Sequence, residues 1–216
     1  MIHYYLLLVK YWFNLRLFFF INCFFCNIPN TKLICNYCNS RIKYNDFAKK
    51  YKTINYLDYI NKSFPYQSPI KDILHHLKYR QEKKYAWYLG FLLNQLLLDI
   101  MLPFDLIIPV PSSYRQKRNF NHINLILEYV IIQNPQIKIN TNIITKKHCI
   151  SSQVSCSNKN LRITNVKNAF NCKKKVNNKR ILLIDDVITT GATVNEIAKL
   201  LKEHGASWVG VCSLMQ

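Results

Sequence analysis

The spacing of apolar positions changes several times along the chain, and each change marks an element. From residue 70 to about 99, "IKDILHHLKYRQEKKYAWYLGFLLNQLLLD" sets Ile73, Leu74 and Leu77, then Trp87, Leu89, Phe91, Leu92 and Leu96, at helical intervals. Two helices joined near Lys83 are predicted, with Gly90 inside the second. "DLIIPVP" (105–111) is instead a short continuous apolar run closed by prolines, as a strand buried on both faces would be. The polar "RQKRNFN" follows, and helical periodicity resumes in "HINLILEYVIIQ". Beyond Pro135 the pattern predicts a short strand near Ile143 and Ile144, a polar stretch, and another buried strand in "RILLID". "GATVNEIAKLLKEHGA" reads as an amphipathic helix with Val194, Ile197, Ala198 and Leu201 on one face and Gly205 as its stop. "WVGVCSL" is a last strand. Strands alternating with helices imply an α/β fold built on a parallel sheet.

The amino-terminal text, "YYLLLVKYWFNLRLFFFINCFFC", is the most apolar stretch. A membrane-spanning helix needs about 20 mostly apolar residues, and Lys10, Asn14 and Arg16 interrupt this one. It also lacks a basic start and a small-residue cleavage site, so it does not read as a signal peptide. Residues 1–22 are therefore expected to form an apolar helix docked on its neighbour, with no transmembrane segment. Contact with a membrane interface is the alternative. The expected location is the cytoplasm, with the inner membrane face as the variant of that reading.

A chain of 216 residues, half of them hydrophobic, accommodates one main domain, expected at 65–216, and a small appendage, expected at 23–45. The formal charge of +19 favours a polyanionic partner such as nucleic acid, an anionic membrane face or a phosphorylated ligand. An AT-rich coding bias accounts for Lys outnumbering Arg but not for the scarcity of acids, so the charge is open to both origins.

Four of the eight cysteines stand as C-F-F-C (Cys23, Cys26) and C-N-Y-C (Cys35, Cys38), separated by an eight-residue loop. Two such knuckles can converge on one tetrahedral centre, and four thiolates suit a structural zinc ion. Redox dithiols or disulfides are the alternative, but a redox C-x-x-C normally opens a helix in a βαβ unit. Cys149, Cys156, Cys172 and Cys212 are scattered and read as buried thiols. His75 and His76 are adjacent, so they point to different sides of their helix and read as surface or packing residues.

The stretch "ILLIDDVITTGATV" (181–194) joins a buried strand to a helix through paired acids and a hydroxyl-rich turn. Asp185 and Asp186 would stand at the carboxyl end of the strand, where open α/β sheets bind ligands. Backbone N–H groups of Thr190, Gly191, Ala192 and Thr193 would open the helix and wrap a phosphate, with hydroxyls from Thr189, Thr190 and Thr193. Two acids repel a phosphate but accept from the hydroxyls of a ribose. The pattern thus suits a sugar phosphate with free vicinal hydroxyls, and the missing Gly-Lys-Ser/Thr excludes a Walker-type loop.

That stretch resembles the phosphoribosyl-pyrophosphate (PRPP) signature of type I phosphoribosyltransferases. "PVPSSYRQKRNFNHINLI", "SSQVSCSNKNLRITNVKNAF" (through Ser152, Gln153, Arg162, Asn165, Val166 and Phe170), "ILHHLKYR" and the four-cysteine ribbon together resemble the ComF family, the competence-associated phosphoribosyltransferase-like proteins. The resemblance implies a type I phosphoribosyltransferase-like parallel sheet flanked by helices, with a small zinc ribbon in front. It implies handling of incoming single-stranded DNA in natural transformation, beside a helicase-type ATPase. Arg115, Lys117, Arg118 and Lys173 to Lys175 would follow the DNA backbone, with exposed tyrosines stacking bases. An active phosphoribosyltransferase using PRPP and Mg²⁺ is the alternative, with Lys78, Arg115 and Arg118 on pyrophosphate and Asp185 and Asp186 on the ribose. A PRPP-sensing regulator is the third. The family's Arg-Gly-Phe-Asn-Gln reads Arg118-Asn119-Phe120-Asn121-His122 here, and Thr189 stands where purine-salvage relatives carry an acid.

Overall fold

The computed structural model describes residues 21–23, 25–30, 35–41, 54–61, 63–111, 120–147, 166 and 168–216. Residues 1–20 of the expected amino-terminal helix lie outside them. Ile21–Asn22 form a strand, β1, paired antiparallel with Pro29–Asn30 as β2, and a short helix α1 follows at Asn36–Ser40.

A four-stranded parallel sheet carries the rest. β8 (Trp208–Met215) lies between β3 (Tyr59–Ile60) and β7 (Arg180–Val187), and β4 (Leu106–Pro109) pairs with the far side of β7. Helices α2 (Ile70–Tyr79), α3 (Lys84–Leu98) and α4 (His122–Gln133) cover one face. Helix α5 (Ala192–Glu203) and an antiparallel pair, β5 (Ile144–Lys146) with β6 (Phe170–Cys172), cover the other.

Because both faces are covered, the central strands carry apolar residues on both sides instead of alternating, as in the unbroken run Ile181 to Ile184. In β7, Leu182 and Ile184 join the cluster under α2–α4, while Ile181 and Leu183 join the one under α5. β8 divides the same way, Cys212 and Leu214 against Val209 and Val211, and all eight of its residues are buried. Each fully buried Leu or Ile contributes about 1.5–3 kcal/mol relative to exposure.

Gly90 has a packing role that its place in a helical pattern did not disclose. A Cβ there would lie 2.5 Å from Tyr129 Cβ and 2.8 Å from Ile126 O, so its absence lets α3 and α4 touch backbone to backbone. Gly205 ends α5 as expected, at φ +95°, with its N–H and that of Ala206 bonded to Lys202 O and Leu201 O.

The sheet reaches upstream of the expected boundary at 65. Ile54 and Leu57 pack into the α5-side core, and β3 pairs with β8. Asp58 fixes this segment by accepting from Val209 N (2.7 Å) and Lys202 Nζ (2.6 Å).

Candidate functional site

β7 ends at Val187, and residues 188–191 turn into α5. Gly191 takes φ +76°, a left-handed conformation that side-chained residues adopt at a cost, and it caps the helix. Thr190 Oγ1 accepts from Ala192 N at 3.3 Å, and Asn195 N donates to Gly191 O at 2.9 Å. Gly191 is buried, Thr190, Ala192 and Thr193 are half-buried, and Thr189 is exposed at the rim. The Thr-Thr-Gly-Ala-Thr segment lies in the turn into the helix, as its sequence predicts.

Asp185 and Asp186 are both on β7 at its carboxyl end, and the pleat separates their side chains. Successive residues of a strand face opposite sides. Asp186 follows Leu182 and Ile184 toward α2 and α4, and Asp185 follows Ile181 and Leu183 toward α5. A sugar meeting both must straddle the end of the strand.

Asp186 is buried, and its Oδ2 takes two donors: an ion pair from Lys78 Nζ at the end of α2, and His122 Nε2, 2.5 Å away, at the start of α4. Asn121 sets that start, its side chain accepting from Ile123 N at 3.0 Å. The half-buried Asp185 accepts from Asp186 N at 2.8 Å through Oδ1. Burial, then the neighbouring Asp186, pushes Asp185 well above the usual carboxylate range. Burial works against Asp186 as well, but His122 and Lys78 bring it down to about 2. The two neighbours are thus shifted in opposite directions, Asp186 toward the charged form and Asp185 away from it.

His122 is the member that sequence reasoning left out of the site. It was legible only as a departure from the family's Gln, because no local pattern connects it to a carboxylate 64 residues away. Arg115, Lys117, Arg118, Ser152, Gln153 and Arg162 lie outside the described residues. Lys173, Lys174 and Lys175 are exposed, but at the opposite end of the sheet. Val176 N bonds to His204 O beyond the last turn of α5, whereas the acids lie by its first turn. Twelve helical residues, about 18 Å, separate the two ends.

The four ribbon cysteines converge. Their sulfurs lie within 4.8 Å of one another, and Cys26 Sγ and Cys35 Sγ are 3.8 Å apart. Cys35 N donates to Cys23 Sγ (3.3 Å) and Cys38 N to Cys35 Sγ (3.4 Å). Burial opposes ionisation of Cys23, yet backbone N–H groups of Cys35, Cys26 and Phe25 draw it down to about 6. Burial and the other three sulfurs push Cys38 up to about 12. Clustered thiols that resist sharing charge in this way are suited to holding a metal cation. The ribbon is anchored by Cys23, buried in the main core, and by Phe25, whose ring meets Tyr88 of α3 edge-on at 5.9 Å. No helix among the described residues is long and apolar enough to cross a membrane.

The parallel sheet, the acid pair and the glycine-capped turn define a type I phosphoribosyltransferase-like protein, and residues 131–216 match the phosphoribosyl transferase domain family. DNA utilization protein YhgH of Escherichia coli K12 is 32% identical over 160 residues, covering 69% of this chain and 68% of that protein. Competence protein F of Haemophilus influenzae is 36% identical over 123 residues, covering 54% and 52%. Competence protein ComFC of Streptococcus pneumoniae is 58% identical over 38 residues, covering 18% and 17%. The chain belongs to the ComF family.

Proposed function

We propose that this chain binds single-stranded DNA during DNA uptake and carries a PRPP-type sugar-phosphate site at the carboxyl end of β7. The names of its relatives, competence protein and DNA utilization protein, support the first part, as does the net charge of +19. The observation that carries the second is the pairing of Asp185 and Asp186 with a left-handed Gly191 opening α5. The ribose hydroxyls meet the two acids, and the 5′-phosphate lies against the N–H groups of residues 190 to 193. Arg115 and Arg118, with Lys78, hold the second anionic end. Mg²⁺ enters with the pyrophosphate, as part of the ligand, and spreads its charge.

The ion in the ribbon is zinc. A Zn–S bond of about 2.3 Å places sulfurs of a regular tetrahedron about 3.8 Å apart, and Cys26 and Cys35 are at that separation. With Cys23 and Cys38 completing the set, the site is closed and structural. The protein acts in the cytoplasm, at or near the inner membrane face, beside a helicase-type ATPase of the uptake machinery.

Calorimetric titration of PRPP with Mg²⁺ into wild type and Asp185→Ala tests the sugar site. Wild type binds and the variant does not; equal binding removes the acids from the site. A gel shift tests the DNA reading: single-stranded oligonucleotide is retained at low salt and released as salt rises, and no retention at low salt overturns it. The acid pair also supports a second reading, an active phosphoribosyltransferase, in which Asp186 steadies positive charge developing on the ribose. Pyrophosphate release with an added acceptor distinguishes it from pure binding.

A further inference from the structure

One oxygen of the carboxylate assigned to a sugar is already held by the protein itself. Lys78 Nζ and His122 Nε2 converge on one oxygen, Asp186 Oδ2, from the end of α2 and the beginning of α4. The side chains of Lys78, His122 and Asp186 are 17%, 5% and 10% exposed. Both donors lie on Oδ2, so a ligand hydroxyl that takes this oxygen displaces one of them, whereas one that takes Oδ1 displaces neither. His122 is fixed at the first turn of α4 and is the more buried of the two. Lys78 has a flexible four-carbon stem and a compact charge that follows the strongest local anion.

Resting on the sugar-phosphate reading above, we propose that Lys78 is an exchangeable internal counter-ion. In the free protein it neutralises Asp186. On binding it passes to the anionic group that the ligand carries beyond its sugar, and Asp186, still held by His122, takes the sugar hydroxyl in its place. No covalent bond changes; one ion pair is traded for another. The trade makes the two halves of the ligand cooperative. An anion alone withdraws Lys78 and leaves a buried carboxylate with His122 as its one remaining donor among the described residues. A sugar monophosphate lacking the second anionic group leaves Lys78 on Oδ2 and gains no contact with that oxygen. A ligand with both ends satisfies every partner, and the coupling is reciprocal. The site therefore discriminates a phosphorylated sugar bearing a second phosphate group from simple sugar monophosphates, without any contact to a base.

Two probes separate this exchange from a merely structural lysine. Inorganic pyrophosphate and ribose 5-phosphate are titrated separately into wild type and Lys78→Gln, with PRPP as the reference ligand. The variant should bind pyrophosphate about tenfold or more weakly, the loss expected for a charge-assisted hydrogen bond. It should bind ribose 5-phosphate more tightly, because its competitor for Asp186 is gone. Affinities that fall together for both probes, or pyrophosphate affinity that does not change, overturn the exchange while PRPP binding to wild type leaves the site itself standing. Failure of wild type to bind PRPP at all removes the site and the exchange together. Should Lys78→Gln not fold, a crystal structure of wild type with pyrophosphate decides. Lys78 Nζ on phosphate oxygens and away from Asp186 is expected; Nζ still on Asp186 overturns the proposal.

Discussion

Neutralising the two acids one at a time should change stability in opposite directions. Asp186→Asn removes a carboxylate drawn down to about 2 from an ordinary 3.8. At about 1.4 kcal/mol per pKa unit, its charged form contributes about 2 kcal/mol at neutral pH. The amide cannot replace the charge facing Lys78 and His122, and for a chain of this size the loss corresponds to roughly 4–8 °C in Tm. The sign with pH follows from a lowered folded-state value. The contribution is complete above the unfolded carboxylate range and fades as pH falls through about 2. Asp185 is shifted upward, so its charged form opposes folding near neutral pH, and Asp185→Asn should stabilise the protein there. The assay is urea denaturation of wild type and both variants from pH 7 downward, reading the difference at each pH so that loss of ribbon-bound metal cancels. Equal destabilisation by the two substitutions, or an Asp186→Asn penalty that persists undiminished at the lowest pH, would refute the opposite shifts of the two acids.

Gly90→Ala should destabilise by up to about 2 kcal/mol in chemical denaturation, since overpacking of about 1–3 kcal/mol at the α3–α4 contact outweighs the ordinary helix gain of about 1 kcal/mol; a more stable variant would mean that the two backbones can part freely. Cys35→Ser should abolish binding of one metal ion per chain, measured by elemental analysis of purified protein, and full metal content in the variant would exclude Cys35 as a ligand. Phe25→Ala, which removes the ring meeting Tyr88, should cost up to about 3–5 kcal/mol and expose the ribbon to limited proteolysis ahead of the sheet; unchanged cleavage would show that the cysteine cluster alone secures it.

The long elements and the turn from β7 into α5 were legible in the sequence because each is a local pattern. Leu182 to Ile184 form an unbroken apolar run because the chain covers both sheet faces, and Val194, Ile197, Ala198 and Leu201 mark one face of α5. The four cysteines were legible through spacing, and the structure brings their sulfurs together. β3 and β6, at two and three residues, are too short to carry a period and exist through pairing with β8 and β5. The contacts of Lys78 and His122 with Asp186 depend on where α2 ends and α4 begins relative to β7, which no local spacing encodes. The opposed directions of the two acids were also hidden. Two adjacent acids look like one feature in text, whereas the pleat sends them to different layers.

The burial of Cys23 in the same core as Leu182 and Leu214 has a practical consequence for dissecting this protein. The ribbon is no bead threaded ahead of an independent body. Cutting the chain just after it would uncover Tyr88 and open a notch in the largest apolar cluster. A truncated product would then tend to clump, and its silence in any assay would reveal nothing about what the sheet can do.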